Sequence, residues 1–457
     1  MLPTPLLEGL GTPSGPTNTA KKGWTMKKKS FFGLTKPRFE YAPPSAPMTP
    51  ETLPVPKRAT FYVPRPFNRK DTLRVKPGDP VKTGEKLVVF EDATAYVTSS
   101  VTGTVASVAP YIGDFGETAT AVTVDVADEE AFDGAFAEAA PEPSLEAMVD
   151  YLKGLPGSPD LDRFSDPDHP VKVVAVRGCD TDLMVVTQQH VLGSRAKRIG
   201  RGISILKSLA HVGSVVVTVP AHLTHVVGGI GGRSGEEIRV IGDEYPAALR
   251  PFLLQTVLGE PLPAGKTEAD AGVLVLSAEA VAGIGEAFDT GRVPITKTVT
   301  LIRKDLSRVL VEARVGTPIR DIFAACDVTV NEMDRIIVGG PMTGATIYSE
   351  DYPVRPDTDA VMVQDCTEIS LTQNTPCINC GECVRVCPAN VPVNMLVRFC
   401  EARQYETAAD EYDLYSCIEC GLCSFVCVSR IPIFQYIKLA KYELGRIEEE
   451  AAEEADG

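Results

Sequence analysis

The chain has 457 residues, with 61 acidic against 45 basic side chains and a formal net charge of −16. This length suits about three domains, each with its own core. The acidic surplus argues against a nucleic-acid-binding protein, because phosphate contacts need clustered lysines and arginines. No apolar stretch reaches about 18 uninterrupted residues, so no transmembrane helix is predicted. Met1–Trp24 lacks the apolar core of a signal peptide, which predicts a protein that stays in the cytoplasm.

The N-terminal third of the sequence divides into an arm and a β-rich segment. Residues 1–55 are rich in proline and glycine and show no lasting periodicity, which predicts a flexible or surface-wrapped arm. Residues 56–130 show short alternating strands with turn glycines such as Gly78 and Gly84. This pattern resembles the barrel-sandwich modules of lipoyl and biotinyl carrier domains. Ala93–Tyr96 stands where such carriers have a modifiable lysine, so we expect a structural or docking module.

Residues 144–293 alternate strand and helix patterns, which predicts an α/β domain with a mostly parallel sheet. The strand-like apolar segments are Val171–Val176, Ser214–Val219, Ile238–Ile241 and Ala271–Leu276. Sheets of this kind bind nucleotides at strand ends through glycine-rich loops. Gly154 and Gly157 lie in one such loop, but it does not follow a strand, and a flexible surface loop is an equally good interpretation.

Residues 294–365 predict a small β-rich module with one helix. Lys297–Ile302 and Leu310–Arg314 have the composition of strands, and Thr317–Ala325 is predicted to be a helix capped by Thr317. Gly339–Gly344 predicts a tight turn.

Residues 366–457 contain two cysteine runs with the spacing C-x2-C-x2-C-x3-C. This spacing places three thiolates around one cuboidal cluster and directs the fourth to a second cluster. It predicts two [4Fe–4S] clusters with crossed ligation. The first set of ligands is Cys377, Cys380, Cys383 and Cys427, and the second is Cys417, Cys420, Cys423 and Cys387.

Structural zinc and disulfides are the two alternatives for these cysteines. Zinc sites usually pair two separated C-x2-C knuckles, or one knuckle with histidines, and no histidine is near these runs. Disulfides would need an oxidising compartment. The helical domain is therefore predicted to be a ferredoxin-type domain with two clusters, within a multidomain α+β protein.

The order of these parts resembles a known family. Arg314–Arg320, Gly339–Gly344 and Cys417–Cys427 carry the resemblance, which extends from about Thr298 to Glu443 and is architectural before that. The chain is similar to the C subunits of Rnf electron transport complexes, which are related to the flavin- and NADH-binding subunit of complex I. Membership implies a peripheral subunit on the cytoplasmic face of an ion-translocating membrane complex that couples ferredoxin and NAD chemistry. It also implies that residues 294–365 form a soluble-ligand-binding (SLBB-like) β-grasp module.

The flavin motifs of that family are altered in this chain. Members that bind FMN and NADH have a GGAxFPT loop and a later YPxG segment, where this chain has Leu152–Pro159 and Tyr245–Ala248. Side chains at such positions crowd the approach of backbone N–H groups to flavin and nucleotide phosphates. The sequence therefore predicts that this chain does not oxidise NADH through its own FMN, and leaves Gly154, Gly157 and Tyr245 as weak flavin or nucleotide candidates.

Two hypotheses for the function follow. The first is an Rnf-type electron-transfer subunit that relays electrons through two clusters between a protein donor, such as ferredoxin, and the integral and peripheral subunits of the complex. The second is a soluble flavin-dependent reductase of the same architecture, similar to corrinoid reductases. The second needs a working flavin loop, which the sequence does not have.

Overall fold

The computed structural model describes residues 36–41, 43, 48–67, 71–113, 118–230, 236–263, 266–369 and 375–456. Most of the predicted N-terminal arm lies outside these residues. The described part of the chain forms four sheets, several helices between them, and a helical C-terminal region. It is thus a mixed α/β multidomain protein.

The arm ends in a short strand, β1 (Glu51–Thr52), which belongs to a sheet formed much later in the chain. An antiparallel β region follows it. Its strands are β2 (Arg58–Val63), β3 (Pro80–Val81), β4 (Lys86–Leu87), β5 (Val97–Thr98), β6 (Gly103–Ile112) and β7 (Thr118–Val126). They form a sheet of order β2-β7-β6-β3 and a separate β4-β5 pair around a shared apolar core. Gly78 and Gly84 occupy the predicted turns with φ of 98° and 88°, which favour glycine.

The α/β region has a four-stranded sheet of order β10-β9-β8-β11, in which all neighbours are parallel. Its helices and strands are α1 (Ala135–Ala139), α2 (Leu145–Leu152), β8 (Val173–Arg177), α3 (Thr187–Ser194), α4 (Ala196–Ala210), β9 (Ser214–Pro220), β10 (Glu237–Ile241), α5 (Arg250–Leu258), β11 (Val273–Ser277) and α6 (Ala278–Thr290). Alternation of apolar strands with helices produces this parallel sheet, as the sequence predicts. The strand order reverses between β8 and β11, and such a point is where open α/β sheets bind ligands.

The next region is a mixed six-stranded sheet of order β1-β13-β12-β16-β14-β15. Its remaining elements are β12 (Thr296–Ile302), β13 (Arg308–Arg314), α7 (Ile319–Ala325), β14 (Arg335–Val338), β15 (Ala345–Ile347) and β16 (Ala360–Gln364). Helix α7 begins at Ile319 and not at the predicted Thr317, because Pro318 is extended and bridges Pro353. Leu53, at the end of the predicted arm, is buried in the core of this sheet.

The C-terminal region is a group of helices with an internal repeat of 40 residues. The helices are α8 (Glu382–Val386), α9 (Val393–Glu401), α10 (Tyr405–Tyr412), α11 (Leu422–Val426) and α12 (Ile433–Asp456). Helices α8 and α11 are equivalent in the repeat, and α9 and α12 begin at equivalent positions. No described helix is long and apolar enough to cross a membrane.

Candidate functional site

The eight cysteines of the two runs line two separate cavities in the C-terminal region. One cavity is walled by Cys377, Cys380, Cys383 and Cys427. The other is walled by Cys417, Cys420, Cys423 and Cys387. Each cavity therefore combines three cysteines of one run with the last cysteine of the other.

Local sequence explains how each run wraps around its cavity. Gly381 has a φ of 74°, a left-handed conformation that turns the chain into α8, so that Cys383 lies in the first turn of that helix. The helix ends at Val386, with Cys387 as its C-cap, immediately before Pro388, which cannot continue the helical hydrogen bonds. Gly421 has the same φ before α11. The second run ends without a proline, since Val428 follows Cys427.

The environment of the cysteines is apolar and suits a metal cluster. Cys383, Cys387, Cys423 and Cys427 belong to the buried core of this region. Burial raises the pKa of the Cys383 and Cys420 thiols to about 11, so the protein alone disfavours their thiolates. Four soft thiolate donors around a small apolar cavity fit an iron–sulfur cluster, because the positive irons stabilise the thiolates that burial disfavours. Backbone N–H groups of Asn379 and Ile431 donate to the sulfurs of Cys377 and Cys427, both at 3.4 Å.

The loop from Cys417 to Cys423 docks onto the two domains that precede it. The hydroxyl of Tyr245 donates a 2.7 Å hydrogen bond to the carbonyl oxygen of Cys420. A Cβ atom on Gly421 would lie 2.5 Å from the carbonyl oxygen of Met342, so only glycine allows this approach. Tyr245, Met342, Cys420 and Leu422 share one buried apolar cluster. Tyr245, a weak flavin candidate in the sequence, is thus a buried contact of the second cysteine loop.

The Gly339–Gly344 turn is held in place by Asp182. This buried carboxylate accepts hydrogen bonds from the backbone N–H groups of Met342 and Thr343 and from the Thr343 hydroxyl. A Cβ atom on Gly340 would overlap the Asp182 side chain, which accounts for the glycine there. Asp182 therefore positions Met342 against the second cysteine loop.

The other two flavin candidates also serve packing. A Cβ atom on Gly154 would lie 2.7 Å from the hydroxyl oxygen of Thr98, in the preceding β region. Gly157 donates its N–H to the carbonyl oxygen of Pro356 at 2.7 Å, and its own carbonyl accepts from the Ser277 hydroxyl. The structure does not bring Gly154 and Gly157 together with Tyr245 in one described cavity.

The crevice at the reversal point of the parallel sheet is occupied by protein groups. The side-chain oxygen of Gln188 accepts from the N–H of Glu279 at the start of α6, and Ser277 accepts from the N–H of Ala280. The amide nitrogen of Gln188 donates to Asp359, which lies just before β16. These contacts use helix N–H groups of the kind that bind phosphate in nucleotide-binding folds.

One cation lies beside the second cysteine loop. The ammonium of Lys441 donates to the carbonyl oxygen of Cys417 at 2.7 Å and to Glu419 at 2.8 Å. Burial raises the pKa of Cys417, and the charge of Lys441 opposes this increase. The residues that correspond to Lys441 and Glu419 in the first half of the repeat are Glu401 and Asn379.

Sequence reasoning missed Tyr245 as a docking contact, Asp182 as the support of the turn, and Lys441 as a neighbour of the cysteines. The first two roles depend on partners 175 and 160 residues away in the chain, which no local pattern encodes. Lys441 could have been found by aligning the two halves of the repeat, because the charge at this position is reversed between them.

No protein-family model matches the chain. It is 28% identical over 236 residues to the C subunit of the Na⁺-translocating ferredoxin:NAD⁺ oxidoreductase complex of Acetobacterium woodii, covering 50% of this chain and 53% of that protein. It is 25% identical over 441 residues to the C subunit of the ion-translocating oxidoreductase complex of Yersinia pseudotuberculosis, covering 93% of this chain and 63% of that protein. The chain thus spans less than two thirds of the length of these two relatives.

A solved structure, the NAD⁺-reducing [NiFe]-hydrogenase in the H₂-reduced state, matches with a TM-score of 0.46 and 12% identity over 66% of this chain and 64% of that one. A similarity this low carries no inference about function. The similarity to the curated relatives agrees with the resemblance seen in Arg314–Arg320, Gly339–Gly344 and Cys417–Cys427. Over most of its length, the chain is therefore similar to the C subunits of ion-translocating oxidoreductase complexes of the Rnf type.

Proposed function

We propose that this protein is an electron-transfer subunit of a membrane-associated Rnf-type complex and relays electrons through two [4Fe–4S] clusters. The observation that carries the proposal is the pair of cavities, each walled by four cysteines. A cluster bound in each cavity would accept and release one electron at a time. The cysteines hold the clusters, and the surrounding apolar side chains limit access of water and so influence the potentials.

The ligands are crossed between the two runs. Cys377, Cys380, Cys383 and Cys427 hold one cluster, and Cys417, Cys420, Cys423 and Cys387 hold the other. The composition of the two cavity walls supports this assignment. Structural zinc sites usually pair two separated C-x2-C knuckles or one knuckle with histidines, unlike these continuous runs of four cysteines.

The setting of the chain is the cytoplasmic face of the cell membrane, as a peripheral subunit that couples redox chemistry to ion translocation. Support comes from the relatives, which are named as subunits of ion-translocating oxidoreductase complexes in Acetobacterium woodii and Yersinia pseudotuberculosis. Its partners are the integral and peripheral subunits of such a complex, and ferredoxin or another protein is the electron carrier.

The chain exchanges electrons with another protein and does not oxidise NADH through its own FMN. Support comes from Gly157 and from the start of α6, where N–H groups suited to a phosphate are bonded within the protein. The crevice at the reversal point of the sheet also holds Gln188 and Asp359.

An anaerobic titration tests this function. The full chain, purified under anaerobic conditions and separated from partner subunits, is analysed for bound flavin and then titrated with NADH and with a low-potential protein carrier. The expected result is that the isolated chain contains no FMN and that its clusters are reduced by the protein carrier and not by NADH. Stoichiometric FMN in the isolated chain, with rapid bleaching of the clusters by NADH, would contradict the proposal.

A further inference from the structure

The internal repeat allows the surroundings of the two cysteine loops to be compared position by position. Gly381 and Gly421 both have a φ of 74°, and Asn379 and Glu419 have φ values of 56° and 54°. Because the two loops have the same backbone conformation, a difference in exposure reports what lies against each loop and not how the loop is folded.

The Cys417 loop is covered by other parts of this chain. Cys420 is 7% exposed and Leu422 is 4% exposed. Tyr245 and Met342 cover this loop, through the hydrogen bond to the Cys420 carbonyl and the close approach to Gly421. The outer surface of the Cys417 loop is therefore buried in a contact with the two preceding regions of the same chain.

The equivalent face of the Cys377 loop is open in the part of the chain that the structure describes. Ile378 is 59% exposed and Val428 is 38% exposed, and both line the cavity of Cys377. A Cβ atom on Gly381 would meet no described atom within 4 Å. Two apolar side chains next to cysteine ligands are thus left in solvent where their counterparts in the repeat are covered or restrained.

Polar groups surround the apolar centre formed by the exposed side chains of Ile378 and Val428. Glu382 and Arg385 form an ion pair of 2.7 Å where the covered loop has the apolar residues Leu422 and Phe425. Arg430 is exposed close to Val428, and the corresponding residue in the repeat is Asn390. An apolar centre with a polar rim is typical of interfaces that form reversibly, and electron-transfer encounters use small ones.

The rim also has a local excess of positive charge. Arg385 and Arg430 outnumber Glu382, although the whole chain has a net charge of −16. Complementary charge accelerates encounters and selects partners, so this rim favours a partner with carboxylates around its contact surface.

We infer that Ile378, Glu382, Arg385, Val428 and Arg430 form an outer face on which a second redox protein docks, one with an apolar contact ringed by carboxylates. On docking, one electron would pass from the reduced centre of the partner to the cluster that Cys377, Cys380, Cys383 and Cys427 would hold, with no bond made or broken. The cluster held by Cys417, Cys420, Cys423 and Cys387 would then be the inner one, because Tyr245 and Met342 cover its loop. This inference rests on the proposed clusters.

Stopped-flow reduction of the complete, cluster-loaded protein tests the outer face. The probe is a reduced bacterial two-cluster ferredoxin, an acidic one-electron carrier, and dithionite is the small-molecule reference. Arg385→Glu and Arg430→Glu, at exposed positions outside the cavity wall, should each lower the second-order rate constant with ferredoxin by about tenfold or more, as expected when complementary charge is lost. Reduction by dithionite and the iron content should not change.

Met333→Glu is the control, because it adds a negative charge at an exposed position (77%) in the six-stranded-sheet region, away from the outer face. It should react with ferredoxin at the wild-type rate. In the wild type, added salt should slow the reaction, and it should do so less in Arg430→Glu. Wild-type rates in both outer-face variants, with full iron content, would overturn the docking inference alone, whereas absence of iron in the wild type would overturn the proposed function itself.

Discussion

Single residues distinguish the two halves of the repeat more than the backbone does. The cysteines, Gly381 and Gly421 are equivalent in position and conformation. Lys441, in contrast, lies beside Cys417 and corresponds to Glu401 in the first half of the repeat, so the lysine is specific to the second cysteine loop. Because the reduced form of an iron–sulfur cluster carries one more negative charge than the oxidised form, a nearby cation raises its reduction potential.

Lys441→Gln should therefore lower the midpoint potential of the cluster near Cys417 and leave the other cluster unchanged. A fall of roughly 59 mV would correspond to a tenfold change in the one-electron equilibrium constant. Potentiometric titration followed by electron paramagnetic resonance measures both potentials. Lys441→Arg keeps the charge and should restore the wild-type value, while an equal shift of both clusters in Lys441→Gln would argue against a local effect.

Cys387→Ser is the most direct test of crossed ligation. The substitution should alter the resonance spectrum of the cluster bound by Cys417, Cys420 and Cys423, because Cys387 lines that cavity. Cys366→Ser is the control, since Cys366 is an exposed free cysteine outside both cavities. Damage confined to the cluster of Cys377, Cys380 and Cys383 would contradict the crossed arrangement.

At the scale of elements, the second cysteine loop is the part of the helical region that joins the rest of the protein. Its docking depends on a tight fit between Gly421 and the turn at Met342. Gly381 has the same φ of 74° but meets no described atom where its Cβ would lie. Substitution of the two glycines by alanine therefore distinguishes the free-energy cost of a left-handed backbone conformation, which both variants share, from the cost of a steric clash, which only Gly421 would have.

Gly381→Ala should destabilise the folded protein by about 1–2 kcal/mol, the usual cost of a left-handed conformation for a residue with a side chain. Gly421→Ala should cost more, because its Cβ would also press on the Met342 carbonyl oxygen. Urea unfolding of the two variants, in parallel with the wild type, measures the difference. Equal losses of stability in the two variants would show that the contact with Met342 has no energetic role.

Sequence patterns predicted the elements far better than their mutual packing. The parallel sheet around Val173–Arg177 and the turns at Gly78 and Gly84 follow from local periodicity and turn chemistry. The crossed ligation inferred from the cysteine spacing stays a prediction, although each cavity is lined by the four cysteines of one predicted set. The contacts of Tyr245 could not be anticipated, because its hydrogen-bond partner is 175 residues away. The incorporation of Glu51–Thr52 into a distant sheet has the same cause.

At the scale of the whole molecule, a buried ion network joins the α/β region to the six-stranded sheet. Lys297 is fully buried and donates to Glu279 in α6 at 2.5 Å and to Asp359 before β16 at 2.8 Å. Burial lowers the pKa of Lys297, but the charges of Asp359 and Glu279 outweigh burial and raise it overall. The network therefore remains charged, and it lies close to the crevice in which related sheets bind nucleotides.

Lys297→Met should destabilise the protein by about 3–5 kcal/mol, because it leaves two carboxylates with no buried cation between them. The double variant Lys297→Met with Glu279→Gln should lose less, since one of the unpaired charges is also removed. Arg446→Ala, which breaks exposed ion pairs with Glu443 and Glu450, is the control and should leave the stability almost unchanged, because exposed ion pairs contribute little. Denaturant unfolding gives all three values, and a loss for Lys297→Met no larger than for Arg446→Ala would contradict this role of the network.

The claim on which the account depends is that the eight cysteines of the two runs hold two [4Fe–4S] clusters. Determination of iron and acid-labile sulfide in the anaerobically purified protein tests it most directly. Two clusters should give about eight irons and eight sulfides per chain, lost together when the protein is treated with an iron chelator and an oxidant. Stoichiometric zinc with no acid-labile sulfide, or about four irons per chain, would contradict it.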